Sequence, residues 1–353
     1  MNAWPETEKA QLKELLETAE NNLHALELFS SYLHICPRFA KEEDILSLTE
    51  CGVDVETAQR LLVAAACGLN GEARPQDQIM EERYFRHAIH QLDAQECRHD
   101  PYYQTIRLPE ISRGKWKMGY KNIEAYELFT SDDLKVLPDG REIPQVGFFT
   151  EDFRAPIVEE NGREWMTVTP SEINTMTADI KAAFGKVAVF GLGLGYYAFM
   201  ASEKPEVTEV VVVEREESVI SLFKEFILPQ FPNAQKITVV QTDAYAYAQS
   251  MGSEHFDCAY VDIWHDVLDG VEMYLKMKRL EKHSPDTKFL YWIEPSMLAW
   301  LRGMALMEIA ENTDGPLMQT IETADSVDEL IWKLSDENLK KIAPLIPLEV
   351  ARR

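Results

Sequence analysis

The sequence has no C-x-x-C pair, no uncharged apolar run of the roughly 18–20 residues that a spanning helix needs, and no excess of positive charge. Each absence excludes something. The five cysteines (Cys36, Cys51, Cys67, Cys97, Cys258) are odd in number and scattered, which argues against a disulfide framework or a zinc ribbon and for a reducing cytoplasm. Without a spanning run, no membrane association is expected. The opening MNAWPETEKAQ also lacks the basic segment and apolar core of a signal peptide. A net charge of −25 repels phosphate backbones, so no nucleic-acid partner is expected; cationic or neutral substrates suit it, and solubility alone would also account for it.

What is present is organised around residues 186–214, KVAVFGLGLGYYAFMASEKPEVTEVVVVE. A short apolar run ends at Phe190, and Gly191, Gly193 and Gly195 follow at alternate positions. A helix-compatible stretch begins at Tyr196, and a second apolar run from Val210 to Val213 ends on Glu214. This spacing predicts strand, glycine turn, helix and strand. Glycines let a backbone turn tightly and approach a ligand where a Cβ would clash. A following helix N-terminus offers free N–H groups, and an acid at the next strand tip can accept hydrogen bonds from ribose hydroxyls. An adenosine-type cofactor fits, with a purely structural tight turn as the alternative. Tyr196 stands where the dinucleotide fingerprint requires its third glycine, which disfavours a nicotinamide cofactor.

Alternation of strand and helix continues past Glu214. Strands are expected at 236–241, 256–262 and 287–293, with helices between them and one over 296–310. Five such strands predict an α/β protein with a doubly wound, mainly parallel Rossmann-like sheet, and every strand C-terminus lies on one edge. Ahead of it, residues 1–100 carry helical periodicity throughout, including a first helix over 6–35 and a fourth over 76–92, so an all-helical N-terminal domain is expected. The long first helix is compatible with a homodimer. Residues 101–168 alternate with period two and contain Asn161-Gly162, which predicts a small β-rich domain with a type I′ hairpin. Thr169-Pro-Ser-Glu172 reads as a capping box opening the helix that enters the sheet. The Rossmann-like domain then spans 169–315, followed by a helical extension over 316–353. His87, His90, Cys97 and His99 match no metal-ligand spacing, and no metal is expected.

Residues 170–295 resemble the class I S-adenosylmethionine-dependent methyltransferase domain, and especially its spermidine synthase-like branch. The resemblance implies that S-adenosylmethionine is the cofactor and that Gly191, Gly193 and Gly195 form its turn. Glu214 would hold the ribose, Asp243 would lie near the adenine amino group, and Asp262 would lie near the methionine part. The apolar Phe190 before the first glycine fits that branch. Its Asp-x-x-Asp-Pro segment is replaced here by Asp262-Ile-Trp-His265-Asp266, and the Asn-Pro-Pro-Tyr motif of nucleobase amine methyltransferases is absent. The expected activity is methyl transfer to a small molecule, with His265 as general base and Asp266 or Asp262 orienting it or holding a cationic substrate. A cap of the following helix is the structural alternative for His265. Asp262, Asp266 and Glu294 are a poor match to the hard-cation site of catechol methyltransferase-like enzymes. Aminopropyl transfer from the decarboxylated cofactor is the alternative activity, and a non-catalytic cofactor-binding or interaction protein is the alternative of another class.

Overall fold

The computed structural model describes residues 6–311. The chain opens with α1 (Glu6–Ile35), α2 (Glu42–Glu50) and α3 (Val55–Ala66). Asp54 caps α3 by accepting the Thr57 N–H at 2.8 Å. Then α4 (Pro75–Met80), a π-helical turn over Glu81–Phe85 and α5 (Arg86–Ala88) run on into β1 (Ile89–Gln91). Residues 1–100 are therefore not all-helical. Periodicity predicts helix through Leu92, but Ile89 begins a strand that pairs in parallel with β5, Ile89 opposite Val146. The cause is tertiary: the partner strand lies far ahead in the chain, and local periodicity carries no trace of it.

After α6 (Ala94–Arg98) and α7 (Pro101–Thr105) come β2 (Ile111–Arg113), β3 (Trp116–Ile123), β4 (Phe129–Val136), β5 (Glu142–Phe148), β6 (Phe153–Glu160) and β7 (Arg163–Thr167). These strands divide between two sheets, β1-β5-β4 and β2-β3-β6-β7. The first shares a core with the N-terminal helices, where Phe29, Val63 and Tyr84 pack with Ile143, Val146 and Phe148. The β6–β7 hairpin turns at Asn161 and Gly162, both with positive φ (51° and 78°), as a type I′ turn demands. The basic side of β3 is matched by acids of its neighbours: Lys117 meets Glu159 and Lys121 meets Glu164, each at 2.7 Å.

The remainder is α8 (Pro170–Ala182), β8 (Gly185–Phe190), α9 (Tyr196–Glu203), β9 (Val207–Glu214), α10 (Glu217–Leu222), β10 (Ile237–Gln241), α11 (Ala244–Ser250), β11 (Cys258–Val261), α12 (Val267–Leu280), β12 (Lys288–Tyr291) and α13 (Glu294–Glu311). Its five strands form one parallel sheet in the order β10-β9-β8-β11-β12. Both faces are covered, so the strands are apolar at successive positions. On β9, Val210 and Val212 join the core with α8, α9 and α10, while Val211 and Val213 join the core with α11, α12 and α13. The fold is thus mixed α/β with a Rossmann-like parallel sheet. Strand order reverses between β8 and β11, and ligands of such sheets bind outside the strand ends at that point. The antiparallel β2-β3-β6-β7 sheet leans on the same region, because Trp116, Met118 and Val158 share a core with Leu192, Leu194 and Tyr196. No described helix is long and apolar enough to cross a membrane. The extension over 316–353, and any strands it could add to the sheet, lie outside the described residues.

Candidate functional site

The glycine turn after β8 separates into three roles. A Cβ on Gly191 would lie 1.8 Å from the Asp262 carbonyl oxygen, so this glycine lets the ends of β8 and β11 meet. A Cβ on Gly195 would lie 2.6 Å from the Phe223 ring, and its φ of +76° sets the left-handed entry to α9. Gly193, with φ +52°, meets nothing within 4 Å. It is the one glycine of the three that faces open space, as a cradle for a ligand requires. The Gly193 and Leu194 N–H groups make no hydrogen bond to any described residue. They are available to a ligand together with the first N–H groups of α9.

Glu214, at the tip of β9, is drawn into this turn. Its carboxylate accepts from the Leu192 N–H at 3.2 Å and from the Glu216 N–H at 2.9 Å. A carboxylate so anchored is pre-positioned for hydroxyls lying on the turn. Were S-adenosylmethionine the ligand of this turn, replacing Glu214 by alanine would be expected to weaken its binding by about 1.5–3 kcal/mol, read by calorimetry. Affinity within a factor of two of wild type would remove Glu214 from the site. Asp243, exposed after β10, caps α11. One of its oxygens accepts from the Tyr245 and Ala246 N–H groups, both at 3.0 Å, and the other makes no hydrogen bond.

The second wall of the site holds carboxyls that no described residue pairs with. Asp262, half-buried at the end of β11, has no side-chain hydrogen bond or ion pair among the described residues, and desolvation pushes its pKa up to about 7. Glu172, in the first turn of α8, likewise has no hydrogen-bond or ion-pair partner among the described residues. Burial, then the nearby charges of Asp262 and Glu164, push it up to about 8. The expected capping box does not form: Thr169 makes no side-chain cap bond, and Glu172 makes no hydrogen bond back to the helix end. Tyr260 of β11, which feels the charges of Asp262 and Glu172, is 1% exposed, its ring stacked on Tyr197 at 3.7 Å and its hydroxyl unpartnered. Buried polar groups are costly unless hydrogen-bonded, so the Tyr260 hydroxyl, near two carboxyls whose pKa is raised, is a group that a ligand could satisfy.

His265 and Asp266 stand at the exposed rim. Asp266 caps α12, accepting from the Leu268 and Asp269 N–H groups, while Asp269 reaches back to the His265 and Asp266 N–H groups. The capping box foreseen at α8 thus occurs at α12. The carboxylate of Asp266 serves the helix, and no hydrogen bond links it to the His265 ring. Glu294 receives the Tyr274 hydroxyl at 2.7 Å and Lys278 at 3.2 Å, which ties it to α12. Among the described residues no three His, Cys, Asp or Glu side chains gather as a metal-ligand set. Sequence reasoning passed over Glu172 and Tyr260. A helical acid one turn into the segment that feeds the first strand is the signal that could have pointed to Glu172.

No family model matches the sequence, and no curated protein does. Among solved structures, the chain is similar to spermidine synthase from Thermotoga maritima. Identity is 14%, the match covers 43% of this chain and 60% of that one, and the TM-score is 0.29. The chain therefore spans about three-fifths of the length of that enzyme.

Proposed function

We propose that the protein binds S-adenosylmethionine at the glycine turn and transfers its methyl group to a small amine. The observation that carries this reading is the pair of unpaired carboxyls, Asp262 and Glu172, beside the open face of Gly193 and the anchored carboxylate of Glu214. The cradle fits the cofactor: Gly193 supplies clearance, Glu214 would take the ribose hydroxyls, and the uncommitted oxygen of Asp243 would take the adenine amino group. Bound there, the cofactor supplies a methyl carbon already activated by its sulfonium. The chain's own task is to align the acceptor and to take its proton. An ammonium entering the site meets Glu172 and Asp262, whose mutual proximity favours a cation between them. Asp262, with a pKa near 7, is ionised in part at neutral pH and is the better placed base; the amine proton passes to its carboxylate as the nitrogen becomes the nucleophile. His265, at the rim, would receive protons onward to solvent. Met118, Val158 and Met166 of the antiparallel sheet line one side of the turn at Gly193 and Leu194.

One observation favours a second reading, aminopropyl transfer. Among the described residues no lysine or arginine pairs with Asp262 or Glu172, so these offer nothing to a methionine carboxylate, and a decarboxylated cofactor would suit the wall better. Parallel calorimetric titrations with S-adenosylmethionine, its decarboxylated form, S-adenosylhomocysteine and NADH separate these readings. Micromolar binding of the first and third supports methyl transfer. Preference for the decarboxylated form supports aminopropyl transfer. Binding of none of the four would mean that the turn is structural and the proposal wrong.

A further inference from the structure

The short helix α7 lies outside the Rossmann-like sheet, yet it holds both walls of the site. The Tyr102 ring is 0% exposed, and its hydroxyl donates to the Leu194 carbonyl at 2.7 Å, inside the glycine turn. Its neighbour Tyr103 donates to the Val168 carbonyl, just before α8 and Glu172. Asp100 completes the arrangement. One of its oxygens accepts the Tyr102 N–H at 2.8 Å, and the other accepts the Tyr196 hydroxyl at 2.9 Å. Tyr196 is the residue that stands where a dinucleotide-binding turn has glycine. The Tyr102 ring meets Tyr196 and Phe199 edge-on, each at 5.5 Å.

The Leu194 carbonyl belongs to the peptide that joins Leu194 to Gly195, whose N–H donates to the Leu192 carbonyl at 2.8 Å. Gly195 on one side of that peptide, and Gly193 one residue before it, leave the turn more than one backbone conformation within easy reach. The Tyr102 hydroxyl draws the Leu194 carbonyl inward and so selects one of them. The Tyr196–Asp100 bond fixes the start of α9 on the other side of Gly195. We propose that Tyr102, with the Asp100–Tyr196 pair, is a positioning device that holds the cofactor turn in its binding-competent form. It makes cofactor affinity depend on a helix outside the cofactor domain. The proposal rests on the assignment of the turn to the adenosyl cofactor. Affinity scales with the populated fraction of the competent turn, so loss of one selecting hydrogen bond should show as a weaker Kd without a change of fold.

The test is calorimetric titration of the full chain with S-adenosylhomocysteine at 15 °C, on wild type, Tyr102→Phe and Tyr196→Phe. Each substitution removes one oxygen and keeps the ring. Circular dichroism and the ligand-free unfolding midpoint are measured on the same samples. A Kd weakened about three- to tenfold in both variants, with native spectra, is the expected result. Wild-type Kd in both variants, whether or not the unfolding midpoint falls, would overturn the proposal and leave the tyrosines as packing. If wild type itself fails to bind, the cofactor assignment fails first. Should Tyr102→Phe not fold, Tyr196→Phe decides alone, because its hydroxyl is partly buried at the periphery of the same cluster.

Discussion

Asp262→Asn is expected to lower turnover by about 10²–10⁴-fold, the range supplied by a positioned general base, while cofactor affinity changes less than tenfold. The amide keeps the shape of the side chain and cannot take a proton. The same substitution carries a stability signature with a definite sign. Asp262 has a folded pKa raised from 3.8 to about 7, and Glu172 one raised from 4.5 to about 8. A raised carboxyl binds its proton more tightly in the folded state. Its contribution to stability is therefore fully present below the unfolded value and is lost as pH rises through the folded one. Wild type should lose stability as pH rises from about 4 to about 8 on account of these two groups. Asp262→Asn should be more stable than wild type at pH 9, with the advantage fading toward pH 5. Urea unfolding at the two pH values reads this directly. A variant that keeps full turnover, or one destabilised most at pH 9, would sink the role given to Asp262.

The second large effect is a contrast within the glycine turn. Gly191→Ala should fail to fold, because its Cβ would lie 1.8 Å from a backbone oxygen of Asp262, and neither strand end can move without breaking the β8–β11 pairing. Gly193→Ala should fold at a cost of about 1–2 kcal/mol for an alanine in the left-handed region. It should lose more than a hundredfold in S-adenosylhomocysteine affinity, since the methyl would occupy the space that the ligand needs. Expression, circular dichroism and calorimetry on the pair settle it. A Gly193→Ala protein that binds like wild type would mean that this turn cradles nothing.

The parallel sheet was legible from the sequence because strands buried on both faces are continuous valine-rich runs, and the glycine turn announces where the first of them ends. Right-handed crossovers place the C-terminus of every strand on one edge, while the order of the strands is not written in local pattern. The β6–β7 hairpin was legible from Asn161-Gly162, which has few alternatives. The fate of each glycine was not, since Gly191, Gly193 and Gly195 look alike until Asp262 and Phe223 are placed beside two of them. Nor was the proximity of Glu172 to Asp262, which lie on different elements far apart in the chain. Acids at strand ends share a spacing signal, but Asp243 and Asp266 turn out to cap helices, while Asp262 is left without partners. Whether such an acid caps or remains unpaired depends on the two or three residues after it and on what packs above, and periodicity reports neither.

The three residues of β1 have a consequence for synthesis of the chain. Their hydrogen-bonding partners on β5 are made only once the ribosome has passed Phe148. Until then Phe29, Val63, Tyr84 and Phe85 have no sheet to close against, and this apolar surface stays open to other chains. A nascent protein stalled or truncated near residue 100 would therefore be an aggregation-prone fragment, and separate expression of the first hundred residues should give insoluble material unless the stretch through Phe148 is included.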